Sequence, residues 1–302
     1  MKNKLYIFIS ALFVSAAVLF VCSTEPQKAE ADSARVAQSS IMVPQVPAEV
    51  NFCGENVPLS NTDVYECLDR EIIVNSFLHS STLLNLKRSG RFFPIIEPIL
   101  AENGIPDDMK YLCVAESNLN PLAKSPAGAL GPWQFLEVTA REFGLRVDDD
   151  VDERADVVKS TQAACRMLKA HYRVLGSWTL VAAAYNGGLA RVKRVAEQQK
   201  QRSYYNMHWA EETKRYVFRI LALKLIMTHP DAYGFIISDA DLYAPYETKD
   251  VEVLQPISDL PSWAVEHGTT YRAVKLLNPW LMRNKVDRVG TNGIVIRIPA
   301  DD

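Results

Sequence analysis

Residues 115–134 read AESNLNPLAKSPAGALGPWQ and join the end of an apolar helical pattern to a loop of small residues. Glu116 follows Met109 by seven residues and Leu112 by four, so a carboxyl stands on the apolar stripe of the predicted helix. Burial disfavours the ionised form of a carboxyl, and a glutamate held neutral near neutral pH can act as a general acid. The alternative is an exposed glutamate at a helix end, and on this helix alone the two interpretations fit equally.

The loop that follows is rich in glycine and short of large side chains up to Trp133. Small residues let the backbone approach an extended ligand closely, and the amide of Gln134 can bond a sugar hydroxyl or N-acetyl group. Further along, the stretch AAAYNGG places Tyr185 and Asn186 at a helix end, where a phenol and an amide can face a groove. Taken singly, each feature is more often part of the scaffold: a plain loop, a core tryptophan or a helix cap.

Helical spacing of apolar residues dominates from about residue 63 to residue 229. Stop signals interrupt the pattern, among them Gly90, Gly176 and Pro230. After residue 246 the character changes to a strand, two short helices and a closing strand with alternating exposure. We therefore predict a mainly α fold, with a helical domain over residues 51–245 and a small βααβ domain over residues 246–302.

The N-terminus has the layout of a secretory signal, with two lysines, an uncharged apolar run of about 17 residues, and then small and polar residues. We predict a signal peptide or lipoprotein signal over residues 1–23 and a flexible linker over residues 24–50. The apolar run also fits an uncleaved membrane anchor. Cys22 stands where a lipoprotein would be acylated, although the residues before it depart from the usual lipobox, and ordinary cleavage after Ser23 fits as well.

Composition excludes several functional classes. The 302 residues are 48% hydrophobic and 23% charged, which allows a full core and more than one domain. A net charge of -3 provides no broad cationic surface, so nucleic acid is not an expected partner. The cysteine spacing fits no metal site, and we predict neither metal nor cofactor. Cys53 and Cys67 could pair in an oxidising compartment, whereas Cys113 and Cys165 are expected in the core.

Together these motifs resemble the transglycosylase domain of the soluble lytic transglycosylase and goose-type lysozyme superfamily. The resemblance rests on AESNLNPLAKSPAGALGPWQF, TAREFGL, AAAYNGG and ETKRYV, which occur in this order. The preceding FCGENVPL, DREIIVN and IPDDMKYL look more narrowly like the membrane-bound lytic murein transglycosylase D group. The resemblance covers about residues 52–245. It implies a lysozyme-like helical fold and an enzyme that cleaves peptidoglycan glycan strands in the bacterial cell envelope, in the periplasm, with or without membrane attachment.

The resemblance also implies a role for eight residues. Glu116 matches the single catalytic glutamate. The other seven would contact the substrate. Ser117 would be the motif partner of that glutamate, and Ser125 and Gln134 would line the groove near the N-acetylmuramyl residue. Tyr185 and Asn186 would form a pair beside the carboxyl, and Glu212 and Tyr216 would close the groove. The last two fit equally well as a helix N-terminal acid and a core aromatic.

The implied reaction consumes no water. Glu116 would protonate the β-1,4 glycosidic oxygen between N-acetylmuramic acid and N-acetylglucosamine, and then accept a proton from the muramyl 6-hydroxyl as it attacks C1. A lysozyme-like hydrolase is the first alternative, and it needs a second carboxylate. Asp148, Asp149, Asp150 and Asp152 are available after Gly144, but such a run is usually a solvated loop. The second alternative is a non-catalytic peptidoglycan-binding scaffold.

The C-terminal βααβ segment resembles a LysM module, a small fold that binds N-acetylglucosamine-containing glycans. The match rests on Tyr271, on Leu276 to Pro279 and on the closing strand Ile296 to Pro299. The stretch QPISDL stands where the family usually has a Gly-Asp-Thr-Leu start. This departure leaves two interpretations, a glycan-binding module and a docking or stabilising module of the same fold.

Overall fold

Helices make up most of the part of the chain that the computed structural model describes, residues 42–300. The predicted signal, Cys22 and most of the predicted linker lie outside those residues. A short hairpin precedes the helices, and 3-10 turns connect several of them. In the helical domain the elements are β1 (Asn51–Phe52), β2 (Glu55–Asn56), α1 (Thr62–Phe77), α2 (His79–Glu102), α3 (Lys110–Ser117), α4 (Glu137–Glu142), α5 (Val157–Leu175), α6 (Trp178–Gly187), α7 (Leu189–Gln199) and α8 (Glu211–Thr228).

Helix α8 lies at the centre of the helical domain, where it packs against α1, α3 and α6. Its residues Val217, Ile220 and Leu221 are fully buried, as their spacing of three and four predicts. Gly176 ends α5 in the left-handed conformation, which also confirms the predicted cap. The candidate site lies where the N-terminal half of α8 faces the C-terminal end of α3.

Helix α2 runs through Gly90, so the predicted stop at this residue is wrong. A Cβ at Gly90 would lie 2.7 Å from the Cβ of Leu242 and 3.1 Å from the carbonyl oxygen of Tyr243. The glycine therefore lets the segment that follows α8 pack closely against the side of α2. A glycine in the sequence does not distinguish a helix end from a close approach, because both depend on the missing Cβ.

The C-terminal residues have the predicted order of strand, helix, helix and strand, and the mainly α fold with a small βααβ domain is confirmed. The two strands pair antiparallel, with Thr248 opposite Pro299. Asn278, fully buried, joins the second helix to the last strand, because its side chain both donates to and accepts from the backbone of Arg297. The elements are β3 (Thr248–Val253), α9 (Leu260–Glu266), α10 (Tyr271–Leu277) and β4 (Ile294–Pro299).

The acidic loop after Gly144 contacts this C-terminal module. Oδ2 of Asp150 accepts a hydrogen bond of 2.9 Å from the backbone N–H of Asp287, and Asp152 pairs with Arg154 at 2.7 Å. Asp150 and Asp152 are each 5% exposed, so the expectation of a solvated loop is wrong for both. A carboxylate can accept hydrogen bonds from backbone N–H groups that are distant in sequence, as Asp150 does from Asp287. The local sequence does not show such a partner.

Candidate active site

Glu116 lies in the last turn of α3, on the stripe that faces the domain core. Met109, in the 3-10 turn before α3, and Leu112 have no exposed surface, whereas Glu116 is half-buried. The helix ends directly after it, because Asn118 and Leu119 both take left-handed backbone angles, with φ of 53° and 55°. Such angles are uncommon for residues other than glycine, and they turn the chain sharply away from the carboxyl.

The carboxyl of Glu116 contacts a buried phenol on α8. Oη of Tyr216 donates a hydrogen bond of 2.6 Å to Oε1 of Glu116. Burial raises the pKa of Glu116 from 4.5 to about 7, while the Tyr216 hydrogen bond and the Arg219 charge lower this pKa and the Glu212 charge raises it. A carboxyl with this pKa is partly protonated at neutral pH and can both donate and accept a proton there.

Three residues of α8 that act on Glu116 lie on one face of that helix. Glu212, Tyr216 and Arg219 are four and three residues apart, which places them on the same side of a helix. Glu212 is exposed in the first turn, and Tyr216 is 2% exposed. Tyr216 contacts Glu116 directly, whereas Glu212 acts on Glu116 through its charge. The predicted role of both residues in closing the groove stays a prediction.

A second buried glutamate holds the arginines of α8. Glu71 on α1 has no exposed surface, and its Oε1 lies 2.7 Å from Nε of Arg215. Its Oε2 lies 3.9 Å from Nε of Arg219 and has no hydrogen-bond partner within residues 42–300. The charge of Arg219 therefore acts on two carboxylates, those of Glu71 and Glu116.

Local sequence patterns did not identify Glu71, Arg215 and Arg219 as functional residues, although one signal was present. Glu71 follows the buried Leu68 by three residues and the buried Val64 by seven, so it is a carboxyl on an apolar helical stripe. The same criterion selected Glu116. The two arginines gave no such signal, because their importance depends on where α8 crosses α1.

Ser117 fastens the loop to α3, and Gln134 ties two parts of the loop together. Oγ of Ser117 donates to the carbonyl oxygens of Pro132, at 2.8 Å, and Cys113, at 3.1 Å, and the residue is 7% exposed. The amide nitrogen of Gln134 donates to the carbonyl oxygens of Ala123 and Gly131, each at 2.8 Å. Both side chains therefore shape the wall beside Glu116, and their contact with substrate stays a prediction.

Tyr185 and Trp133 connect the same loop to the end of α6. Oη of Tyr185 donates a hydrogen bond of 2.6 Å to the carbonyl oxygen of Trp133, and Nε1 of Trp133 donates to Oγ1 of Thr161 at 2.9 Å. Burial raises the pKa of Tyr185 well above its usual value, and the nearby charge of Glu116 raises it further. The phenol is therefore neutral and lies within the electrostatic reach of the catalytic candidate.

The remaining two predicted residues lie at the edges of this arrangement. Oδ1 of Asn186 accepts a hydrogen bond of 3.3 Å from Oγ1 of Thr213, which joins the end of α6 to the start of α8. Oγ of Ser125 accepts a bond of 3.0 Å from the backbone N–H of Ala129 within the glycine-rich loop. The hydrogen bonds of these two side chains are thus to the scaffold.

Residues 42–300 contain no group of three or more metal-ligating side chains arranged to hold an ion, and no helix long and apolar enough to cross a bilayer. Cys53 and Cys67 are both free thiols. Cys113 and Cys165 have no exposed surface, which confirms that they are core residues.

Comparison with known proteins gives two domain matches. Residues 93–208 match the Transglycosylase SLT domain, and residues 249–302 match the soluble lytic transglycosylase C-terminal LysM-like domain. Glu116 and Tyr185 lie inside the first match, whereas Tyr216 lies outside it and comes from α8.

Individual relatives give partial overlaps. The chain is 31% identical over 234 residues to the membrane-bound lytic murein transglycosylase D of Escherichia coli (strain K12), a match that covers 74% of this chain and 51% of that protein. The chain thus spans about half the length of this relative. It is 30% identical over 135 residues to a putative tributyltin chloride resistance protein of Alteromonas sp. (strain M-1), covering 43% of this chain and 65% of that protein.

Among solved structures, the 70 kDa soluble lytic transglycosylase of Escherichia coli is similar at 21% identity with a TM-score of 0.40. That match covers 51% of this chain and 27% of the other. The two domain matches fall on the helical domain and on the βααβ module, in the order that the resemblance implies. The chain therefore carries a transglycosylase SLT domain followed by a LysM-like domain of the kind found at the C-terminus of soluble lytic transglycosylases.

Proposed function

We propose that this chain is a peptidoglycan lytic transglycosylase, a lyase that cuts the β-1,4 bond between N-acetylmuramic acid and N-acetylglucosamine and leaves 1,6-anhydro-N-acetylmuramic acid ends. One observation carries the proposal. Glu116, inside the matched SLT domain, is half-buried, is bonded to Tyr216 at 2.6 Å and has a pKa raised to about 7. The domain matches and the overlap with a lytic murein transglycosylase support it.

In the first step Glu116 acts as a general acid. Its carboxyl proton moves to the glycosidic oxygen, the bond from that oxygen to C1 of the muramyl residue breaks, and the N-acetylglucosamine 4-hydroxyl leaves. A pKa of about 7 supports this role, because an ordinary glutamate with a pKa of 4.5 would be almost fully ionised at neutral pH.

In the second step the Glu116 carboxylate acts as a general base. The muramyl 6-hydroxyl attacks C1, its proton returns to Glu116, and the ring closes to the anhydro product. The hydrogen bond from Tyr216 stabilises the carboxylate between the two steps, and so does the positive charge of Arg219. The enzyme ends in its starting protonation state, and no water is consumed.

We assign supporting roles to the other candidate residues. Tyr185 and the loop held by Ser117 and Gln134 form the wall beside Glu116. Asn186 and Glu212 stand at the ends of α6 and α8, where a glycan strand would pass. Ser125 belongs to the same loop.

A lysozyme-like hydrolase has less support than the transglycosylase. Hydrolysis needs a second carboxylate that holds water opposite the acid. The acids after Gly144 are engaged elsewhere, since Asp148 pairs with Arg146, Asp149 with Arg283 and Asp150 with the backbone of Asp287. These contacts occupy three of the four candidate carboxylates at or near the C-terminal module.

We also propose a cellular location for the protein and a role for each of its domains. The N-terminal pattern and the membrane-bound relative support the periplasmic cell envelope, with attachment through an N-terminal anchor or a lipid on Cys22. Residues 51–245 would form the catalytic domain and residues 246–302 a module that binds glycan. The predicted signal and linker would tether both.

The product ends test the reaction directly. Purified peptidoglycan is incubated with the protein and with a Glu116→Gln variant, and the released muropeptides are identified by mass spectrometry. We expect muropeptides one water lighter than the hydrolysis products, absent with the variant. Reducing ends would establish a hydrolase, and no release with retained binding would establish a scaffold.

A further inference from the structure

A cavity of about 570 Å³ lies between the helical domain and the C-terminal module. Both domains supply its walls, and most of the lining side chains are apolar. Leu122 of the helical domain and Leu276 of the C-terminal module are 64% and 52% exposed, so the apolar surface is open to an incoming ligand. The main apolar lining residues are Phe92, Ile95, Leu122, Val157, Leu276 and Pro279.

Two arginines of α2 place positive charge at this cavity. Arg88 donates to the carbonyl oxygen of Asn118 at 2.9 Å, and Arg91 donates to the carbonyl oxygen of Ala244 at 3.0 Å and to Oη of Tyr246 at 2.9 Å. All of these acceptors are neutral, and within residues 42–300 neither guanidinium forms an ion pair with a carboxylate. The guanidinium of Arg91 also lies over the ring of Tyr246, 4.0 Å from its centroid. Guanidinium groups without a carboxylate partner beside a cavity favour carboxylate ligands.

The negative charge in the same wall is already balanced. Asp156 is 3% exposed, caps the start of α5 by accepting from the backbone N–H of Lys159, and lies 3.6 Å from Nη1 of Arg297. The helix N-terminus and Arg297 therefore compensate its charge. The cavity thus combines an apolar floor with a net positive edge.

The cavity is adjacent to the candidate active site. Arg88 binds the backbone of Asn118, two residues after Glu116. Leu122 lines the cavity, while the next residue, Ala123, accepts a hydrogen bond from Gln134 in the wall beside Glu116. One loop therefore separates the two sites, and a branched substrate could occupy both.

We propose that this cavity binds the peptide stem of a peptidoglycan strand, that is, an alanine-rich peptide with free carboxylates attached to the muramyl residue. The inference rests on the proposed function. The apolar floor matches alanine methyl groups, and Arg88 and Arg91 match the carboxylates. Because the C-terminal module contributes Leu276 and Pro279, the module would take part in choosing substrates that carry stems.

Matched substrates separate stem binding from glycan cleavage. Rates are measured on glycan strands that carry their stems and on the same strands after an amidase has removed them. Leu276→Asp and Arg91→Gln should each lower kcat/KM on stem-bearing strands about tenfold, the effect of one lost or opposed charged contact. Neither variant should change the rate on stripped strands. Val265→Asp and Arg173→Gln, exposed and away from the cavity, are the controls.

Calorimetry with a free acidic stem tetrapeptide provides a second readout that needs no catalysis. Leu276→Asp and Arg91→Gln should weaken binding of this peptide, and the control variants should not. Equal loss on both strand substrates, or no loss on either, would overturn the stem site while leaving the proposed reaction intact. Failure of the wild-type protein to cleave any strand would defeat the proposed reaction, and the calorimetric result would still decide whether the cavity binds the peptide.

Discussion

Tyr216 donates a hydrogen bond of 2.6 Å to Glu116 across one hundred residues of sequence. The phenol comes from α8 and the carboxyl from α3, so the contact exists only when these helices pack together. The bond fixes one carboxyl oxygen and leaves the other to the substrate. It also favours the ionised carboxyl, against the burial that raises the pKa of Glu116 to about 7.

Replacing Tyr216 by phenylalanine tests this contact. The hydrogen bond lowers the pKa of Glu116, so its loss should raise that pKa and move the basic limb of the pH profile of kcat/KM to higher pH. Loss of orientation should reduce kcat about tenfold. Tyr111→Phe removes a buried hydroxyl bonded to Thr228 and serves as the control. An unshifted profile in Tyr216→Phe would contradict the proposed coupling.

The raised pKa of Glu116 has a stability consequence of defined sign. Between pH 4.5 and about 7 the folded protein keeps a proton that the unfolded chain releases, so the free energy of unfolding falls as pH rises through this window. Glu116→Gln removes this loss and should be more stable than wild type by up to about 3 kcal/mol above the window, and by much less below it. Urea unfolding at about pH 5 and about pH 8 measures the difference. Glu197→Gln, exposed on α7, should show no such pH dependence.

Arg219 provides a second means of shifting the Glu116 pKa. Its positive charge lowers that pKa, so Arg219→Gln should raise it and extend activity to higher pH, while slowing the step that forms the carboxylate. Arg215→Gln is the matched control, because Arg215 is also held by Glu71. The expected result is a shifted pH profile of kcat/KM for Arg219→Gln alone. Equal shifts in both variants would mean that the effect comes from α8 as a whole.

Glu71 should matter for stability as well as for the position of α8. Glu71→Gln removes the carboxylate that lies 2.7 Å from Arg215 and 3.9 Å from Arg219, so Arg215 loses its carboxylate partner and Arg219 keeps only Glu116. Because both arginines are partly exposed, we expect a loss of about 2 kcal/mol in the free energy of unfolding. Glu66→Gln on the exposed side of α1 should change it by less than about 0.5 kcal/mol. A similar small change for Glu71→Gln would refute this role.

Alanine substitutions at two glycines of the loop between α3 and α4 distinguish the cost of backbone strain from the cost of a steric clash. Gly131 has φ of 87°, and an added Cβ would lie 1.8 Å from the carbonyl oxygen of Arg154. Gly128 has φ of 84°, and an added Cβ would have no atom within 4 Å. Gly128→Ala should destabilise by about 1 kcal/mol, and Gly131→Ala by at least about 3 kcal/mol. Thermal unfolding of both variants checks this, and equal losses would show that strain alone operates.

Local sequence was sufficient wherever a residue's role depends on its own helix or strand. Helical spacing placed Glu116 on the apolar stripe of α3 and left its burial open, and Gly176 predicted the end of α5. The same reasoning failed at Gly90, where the missing Cβ serves an approach by Leu242 from another part of the chain. It also failed at Asp150, whose backbone partner Asp287 is distant in sequence.

The sequence by itself therefore determined the helical domain, the βααβ module and the position of Glu116 on a buried stripe, because periodicity and end signals act within a few residues. The tertiary structure alone decided that Tyr216 bonds Glu116, that Glu71 holds Arg215 and Arg219, and that a cavity opens beside the loop after Glu116. The physical reason is that the pKa of a carboxyl depends on its burial and on charges within a few ångströms, and side chains from distant helices supply both.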